Sequence, residues 1–241
     1  MKCLVMDTSN TTCSAGVYED KKELSYRLSL ETRTHSETFM PLVHEVMEEA
    51  KTKYEDLSYY GITVGPGSFT GIRIGMAFVK GLASVNSIPC VPVSSVDALA
   101  RSVEVVDTPI ESTILISCFE ARNNRVFAGV FKADDYMRII PDNAYNSDEL
   151  IGILLKLSNL DKTSFIVLGN GADTVRKAVE RNEFDKKIKY IDYASGAVIL
   201  PKGVMKASQA IIDSGFQPIS ALELEPVYCA KAQAERLRSS K

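Results

Sequence analysis

The chain has no excess of positive charge: 28 Lys and Arg stand against 31 Asp and Glu, a net charge of -3. Autonomous nucleic-acid binding usually shows as a basic surplus, so any RNA or DNA contact has to be local or supplied by a partner. Metal ligands are scarce. The two histidines, His35 and His44, are nine positions apart and share no helix face. The five cysteines, Cys3, Cys13, Cys90, Cys118 and Cys229, are scattered with no C-x-x-C pair. Neither a zinc site nor a disulfide framework follows from that pattern. Four of the five lie in apolar runs, where a free thiol acts as a small hydrophobe. Long apolar runs are missing as well. The N-terminal "MKCLVMDTSN" reaches a polar turn too soon for a signal-peptide core or a membrane span. The expectation is a cytoplasmic protein with no membrane partner. G-x-S-x-G, H-E-x-x-H and Ser-His-Asp signatures are also lacking.

What is present is enough chain, 241 residues and 45% hydrophobic, for one large domain or two lobes. Residues 2–6 form an apolar run that stops at Asp7-Thr8-Ser9-Asn10, and 13–18 and 22–30 read as antiparallel partners. Thr34 and Glu37 form a capping box ahead of Phe39, Met40, Leu42, Val43, Val46, Met47 and Ala50 at helical spacing. A strand at 59–64 runs into "GPGSFTGIRIG", a helix follows over 70–85, and a strand over 88–94 leads to a helix capped by Ser94 or Ser95. The polar stretch at 104–112 marks a lobe boundary, giving lobes 1–108 and 109–241, with the last segment packing back on the first. The pattern then restarts. Asp7 precedes Ala15-Gly16-Val17 by eight positions, and Glu120 precedes Ala128-Gly129-Val130 by the same eight, which points to an internal duplication. Strands at 113–119, 126–132, 165–168 and 187–192 and helices capped by Ser147, from Ala172 and around Pro201 complete an α/β fold built twice. The closing "AERLRSSK" reads as a frayed tail.

Two turns have the chemistry of anion cradles. In "DTSNTT", Asp7 ends a strand and Thr8 and Ser9 follow in a tight turn, a setting that holds a magnesium-bound phosphate or, equally, a self-bonded hairpin turn. In "GPGSFTG", Gly65, Gly67, Ser68 and Thr70 lie between a strand and a helix N-terminus, where backbone amides favour an anion. No Lys-Ser/Thr pair makes it a Walker loop, and the glycines are out of the dinucleotide register. The steric reading is that Gly65 and Gly67 allow a sharp turn with positive φ, while Gly71 and Gly75 let another backbone approach. Arg73 is either a snorkelling surface arginine or an ion-pair or phosphate contact. His35, in the first turn of its helix, is a general base or a cap. Both helices, 36–50 and 70–85, carry apolar arcs wider than one packed face requires. The expectation is that they pack together and offer a shared surface through Phe39, Val43 and Met47 on one and Arg73, Ile74, Phe78 and Leu82 on the other.

"LVMDTS", "HSETFMPLVHEVMEEA", "GPGSFTGIRIG" and "IPCVPVSS" occur in the order and spacing of the TsaB family, also called YeaZ. "FEARNNRVFAGVF" resembles that family's second-half start, with Glu120 where Asp is usual, and "LEPVYCAKAQA" resembles its C-terminal E-P-x-Y segment. The likeness is dense over the first hundred residues and thin beyond.

The resemblance implies an actin-like (ASKHA, ribonuclease H-like) fold of two duplicated lobes. It implies a non-catalytic subunit that pairs with the catalytic TsaD, with the ATPase TsaE joining. Together they would move a threonylcarbamoyl group from its adenylate to N6 of an adenosine beside the tRNA anticodon, with tRNA met through the complex. TsaD carries a HMEGH-type segment whose two histidines bind metal. At that place this chain reads "VSSVDAL", with Ser95 and Leu99 in the histidine positions, so no metal is expected. The implied residues for weak ATP or ADP with magnesium are Asp7, Thr8, Ser9, Gly65, Gly67, Ser68 and Thr70. A homodimer through the same two helices is the implied resting state. The competing reading is an autonomous actin-like ATPase or kinase with Asp7 as the magnesium-water carboxylate; a metallopeptidase lacks a ligand set.

Overall fold

A computed structural model describes residues 1–30, 35–105 and 109–229. The Thr34 half of the expected capping box, the side chain of His35, residues 106–108 of the lobe-boundary stretch and the tail from residue 230 lie outside them.

The first half runs β1 (Lys2–Asp7), β2 (Cys13–Glu19), β3 (Lys22–Ser29), α1 (His35–Glu49), β4 (Tyr59–Gly65), α2 (Phe69–Asn86), β5 (Cys90–Ser94) and α3 (Ser95–Ala100). The second runs β6 (Thr113–Ala121), β7 (Arg125–Lys132), β8 (Arg138–Asn146), α4 (Ser147–Leu154), β9 (Ser164–Leu168), α5 (Ala172–Arg181), β10 (Tyr190–Ala194) and α6 (Pro201–Asp213). Each half makes a five-stranded sheet, ordered β3-β2-β1-β4-β5 and β8-β7-β6-β9-β10. In both, the first three strands are antiparallel, and the first, fourth and fifth are parallel. The same order twice is the duplicated-lobe, actin-like architecture.

The register corrects one detail of that duplication. Ala15 faces Met6, whereas Ala128 faces Cys118. The ladder counterpart of Asp7 is therefore Phe119, which is buried, and Glu120 is exposed. The second hairpin zips further, to Ala121 opposite Arg125, and this shifts the acidic residue by one position onto the other face of the sheet.

Helices cover both faces of both sheets. α1 and α2 cover the outer face of the first sheet with a core that includes Phe39, Val43, Tyr60, Ile62 and Ile72. α4 and α5 do the same on the second with Leu150, Ile151, Val175 and Phe184. α3 and α6 lie between the sheets and cross over: α6 packs on the first sheet, and α3 reaches β6 and β7. Their shared core holds Val96, Leu99, Leu115, Phe119 and Val204. β4 is buried along its whole length, as its apolar run requires for a parallel strand covered on both faces. After α6 the chain returns to the first sheet. Ile219 and Cys90 exchange backbone hydrogen bonds of 2.7 and 2.9 Å, and Val227 N–H donates to the Val64 carbonyl at 2.7 Å.

Several local expectations change. Asn146, not Ser147, caps α4, its side chain accepting from Asp148 N–H at 2.9 Å. Ser94 caps α3 through Asp97 N–H at 3.3 Å. The strand expected at 187–192 lies at Tyr190–Ala194, because Asp185–Lys187 form a 3-10 turn. β8 is absent from the sequence reading. Its Pro141-Asp142-Asn143 reads as a turn, but an edge strand tolerates proline, and the ladder with β7 is broken by bulges there.

Leu99 is fully buried in the layer shared by both lobes. Leu99→Ala should cost about 2–5 kcal/mol of unfolding free energy in a urea titration.

Candidate functional site

The end of β1 delivers Asp7 into a closed environment. Its Oδ1 accepts from Ser9 N–H at 3.0 Å, from Ser9 Oγ at 2.6 Å and from Thr63 Oγ1 at 2.6 Å. Asp7, Thr8 and Ser9 are each fully buried. The next residues reach α2: Thr8 Oγ1 donates to the Gly71 carbonyl at 2.8 Å, and the Ser9 carbonyl accepts Ser68 N–H at 2.7 Å. Ser68 Oγ in turn caps α2 by accepting from Gly71 N–H at 3.2 Å.

The glycines make this interlock sterically possible. A Cβ on Gly67 would collide with the Ser9 carbonyl, and one on Gly75 with Thr8 Oγ1. Gly65 has the positive φ expected of it, +115°, with the Val227 carbonyl 2.5 Å from where its Cβ would sit. For Gly67 the expected positive φ is not found; its requirement is the close approach of the Ser9 backbone.

The residues singled out as a nucleotide site lie on two touching turns, and polar groups of Asp7, Thr8, Ser9 and Ser68 are turned inward. Ser9 N–H serves Asp7, Ser68 N–H serves Ser9, and Gly71 N–H serves Ser68 Oγ. An anion cradle works by presenting such amides outward. Those three amides are engaged within the turns and are not presented to a phosphate. Ser68 and Thr70 are exposed at the rim.

Asn170 bridges the lobes: its Nδ2 donates to Asn10 Oδ1 at 3.3 Å while its Oδ1 accepts from Glu120 N–H at 3.0 Å. A second bridge, not foreseen from sequence, joins β5, α3 and β8. Ser94 Oγ donates to Asp142 Oδ2 at 2.6 Å, Arg138 Nε pairs with Asp142 Oδ1 at 2.9 Å, and Arg101 Nε pairs with Asp97 Oδ1 at 2.7 Å. Burial raises the Asp142 carboxyl above the usual carboxylate range, opposed by the Ser94 hydrogen bond and the Arg138 charge, and reinforced by Asp97.

Ser95 and Leu99, at the two positions where the resemblance places histidines, are fully buried in α3. Leu99 Cδ2 lies 2.8 Å from the Cβ position of Gly169. No group of three or more His, Cys, Asp or Glu able to hold a metal ion occurs among the described residues. His44 pairs with Glu48 at 3.4 Å on the surface.

The expected partner surface divides. On α2, Ile72, Met76, Val79 and Ala83 are buried, while Ile74, Phe78 and Leu82 are half-buried and Arg73 is exposed. On α1 the expectation fails. Phe39, Val43 and Met47 are 1%, 0% and 4% exposed and belong to the core. The wide apolar arc of α1 is absorbed on two sides, by β2 and β3 and by α2, where Phe39 meets Phe78 edge-on at 5.1 Å. The large apolar side chain that α1 leaves outside is Met40, as α2 leaves Phe69 and Val85. Arg73 does not snorkel alone, and among the described residues it pairs with no carboxylate. It stacks on Phe69 at 3.7 Å, and its Nε donates to Tyr228 Oη at 2.9 Å. Sequence reasoning missed Phe69 and Tyr228 as its companions; the E-P-V-Y segment was the available signal.

Gly67→Val should lower the unfolding free energy by about 1–3 kcal/mol, read by thermal melting, because the turn at Ser9 has to move; a variant that melts like the parent would refute the interlock. Asp142 makes a pH-dependent contribution. Its raised folded-state value means that the folded chain holds this proton more tightly than the unfolded chain does. That stabilisation is present below the ordinary carboxylate range and is lost as pH rises through the raised value. Asp142→Asn should therefore flatten the fall in melting temperature with rising pH across the mildly acid range.

Comparison with known proteins agrees with this frame. The family described as "TsaD: tRNA N6-adenosine threonylcarbamoyltransferase" matches residues 29–237. The tRNA threonylcarbamoyladenosine biosynthesis protein TsaB of Haemophilus influenzae is 24% identical over 230 residues, 93% of this chain and 92% of that protein. The TsaB of Bacillus subtilis is 30% identical over 144 residues, 59% of this chain and 61% of that protein's length. The structure of YeaZ from Pseudomonas aeruginosa superposes with a TM-score of 0.76 at 19% identity, covering 94% of this chain and 99% of that one. No helix among the described residues is long and apolar enough to cross a membrane. The chain belongs to the tRNA N6-adenosine threonylcarbamoyltransferase family and, within that frame, to the TsaB (YeaZ) group of tRNA threonylcarbamoyladenosine biosynthesis proteins.

Proposed function

We propose that this chain is the non-catalytic subunit of the threonylcarbamoyladenosine machinery, which pairs with TsaD and through it serves transfer of the threonylcarbamoyl group to tRNA. The observation that carries this reading is α3. Where the enzyme's segment has two histidines, this chain has Ser95 and Leu99, both buried in the layer between the lobes. Leucine has no lone pair to offer a metal, and serine is a poor transition-metal ligand. The interlocked turns at Ser9 and Ser68 support the same conclusion for nucleotide chemistry, and they weigh against an autonomous ATPase or kinase using Asp7. TsaE would join through the complex, and tRNA would be met chiefly by TsaD, in keeping with the net charge of -3.

The surface offered to TsaD is the outer side of α2, with Ile74, Phe78 and Leu82 half-buried and Val85 88% exposed. A second copy of the chain would use the same side, so homodimer and heterodimer exclude each other. Ile74→Glu and Leu82→Glu should give folded protein that no longer copurifies with TsaD, since an unpaired carboxylate is costly to bury at an interface. Met76→Glu, on the buried side, should fail to fold. Copurification of both folded variants at the parental level would overturn this interface.

A further inference from the structure

Arg73 is exposed but not loose. Its guanidinium lies 3.7 Å from the Phe69 ring centroid and 5.8 Å from that of Tyr228, and the two rings are 5.0 Å apart. Nε is held by the Tyr228 hydroxyl at 2.9 Å. Tyr228 comes from the far end of the chain and is fixed there by the Val227 N–H bond to the Val64 carbonyl, over the positive-φ Gly65. No carboxylate among the described residues pairs with Arg73, and its two terminal nitrogens have no acceptor among them. Around it, Phe69, Val227 and Tyr228 remain 40%, 47% and 40% exposed. A guanidinium fork held in place by two aromatic rings, beside apolar surface, is the composition of an interface hot spot, because little side-chain freedom is left to lose on binding.

Charge complementarity calls for an anion. A phosphate is the poorer match: the amides of Ser9, Ser68 and Gly71 are engaged internally, and the apolar rim of Phe69, Val227 and Tyr228 offers it no further charge. A carboxylate flanked by apolar side chains matches both the fork and its rim. The geometry points to Arg73, clamped by Phe69 and Tyr228, as the anchor that receives an Asp or Glu carboxylate of the protein partner on the α2 face. This rests on the reading that α2 meets TsaD, and it adds that the C-terminal segment at 227–228 builds part of that surface.

Calorimetry with purified TsaD tests it, with thermal melting as the control for folding. Arg73→Ala should weaken binding by about 10- to 100-fold with an unchanged melting temperature. Arg73→Lys should recover little, since an ammonium can neither fork nor stack in the same way. Tyr228→Ala should weaken binding with Arg73 intact, and it serves as the readout if Arg73→Ala does not fold. Parental affinity in both Arg73→Ala and Tyr228→Ala would overturn the anchor; if Ile74→Glu still abolishes binding, the α2 interface itself survives that result. Conversely, loss of binding in Arg73→Ala with parental binding in Ile74→Glu supports the anchor and removes the apolar-face reading. Arg73→Ala that keeps TsaD but loses ATP or inorganic phosphate would replace the carboxylate with a phosphate ligand and overturn the proposal.

Discussion

One backbone hydrogen bond, Ser68 N–H to the Ser9 carbonyl at 2.7 Å, sets the start of α2 against the first sheet. It joins the turn after β1 to the loop before α2, and it requires Gly67, because any side chain there would strike the same carbonyl. Once the two turns touch, Thr8 reaches Gly71 over Gly75, Ser68 is placed to cap α2, and Asp7 is sealed against Ser9 and Thr63. The orientation of α2 follows, and with it the side that faces outward. Residues suited to cradling a phosphate therefore act as a packing joint, and what they position is a helix surface.

The lobes are fastened to each other by exchange of elements. α6 covers the first sheet, α3 reaches the second, and the chain after α6 pairs with β5 and β4 of the first lobe. Polar bridges reinforce the crossing: Asn170 to Asn10 at one place, Ser94 to Asp142 with Arg138 at another. The second bridge buries a carboxylate, which ties lobe contact to pH. A frame joined this way is suited to presenting a fixed surface to a partner.

Much of the architecture was legible in the sequence because it rests on period and turn chemistry. The buried strands β1, β4 and β6 are apolar runs, α2 follows a glycine-rich loop, and the second half repeats the first. β8 was not legible, since Pro141-Asp142-Asn143 carries a turn signature that only its place at a sheet edge overrides. Glu120 was matched to Asp7 by spacing, and ladder register, which spacing cannot report, moved it by one. The candidate site was legible as a set of residues but not as an arrangement. Nothing in "GPGSFTG" says whether its amides face outward or toward Ser9. An apolar arc such as that of Phe39, Val43 and Met47 does not reveal how many neighbours cover it; α2 and the sheet together cover that arc. Arg73 found its partners on Tyr228, 155 residues away in sequence.

This chain keeps the frame of a threonylcarbamoyltransferase and, in the function proposed for it, contributes a surface in place of a reaction centre. The direct measurement is transfer of the threonylcarbamoyl group from its adenylate to tRNA by this chain alone, by purified TsaD alone, and by the two together. No transfer by this chain alone is expected, and more transfer by the pair than by TsaD alone. Transfer by this chain alone, or a pair no more active than TsaD, would contradict the proposed function.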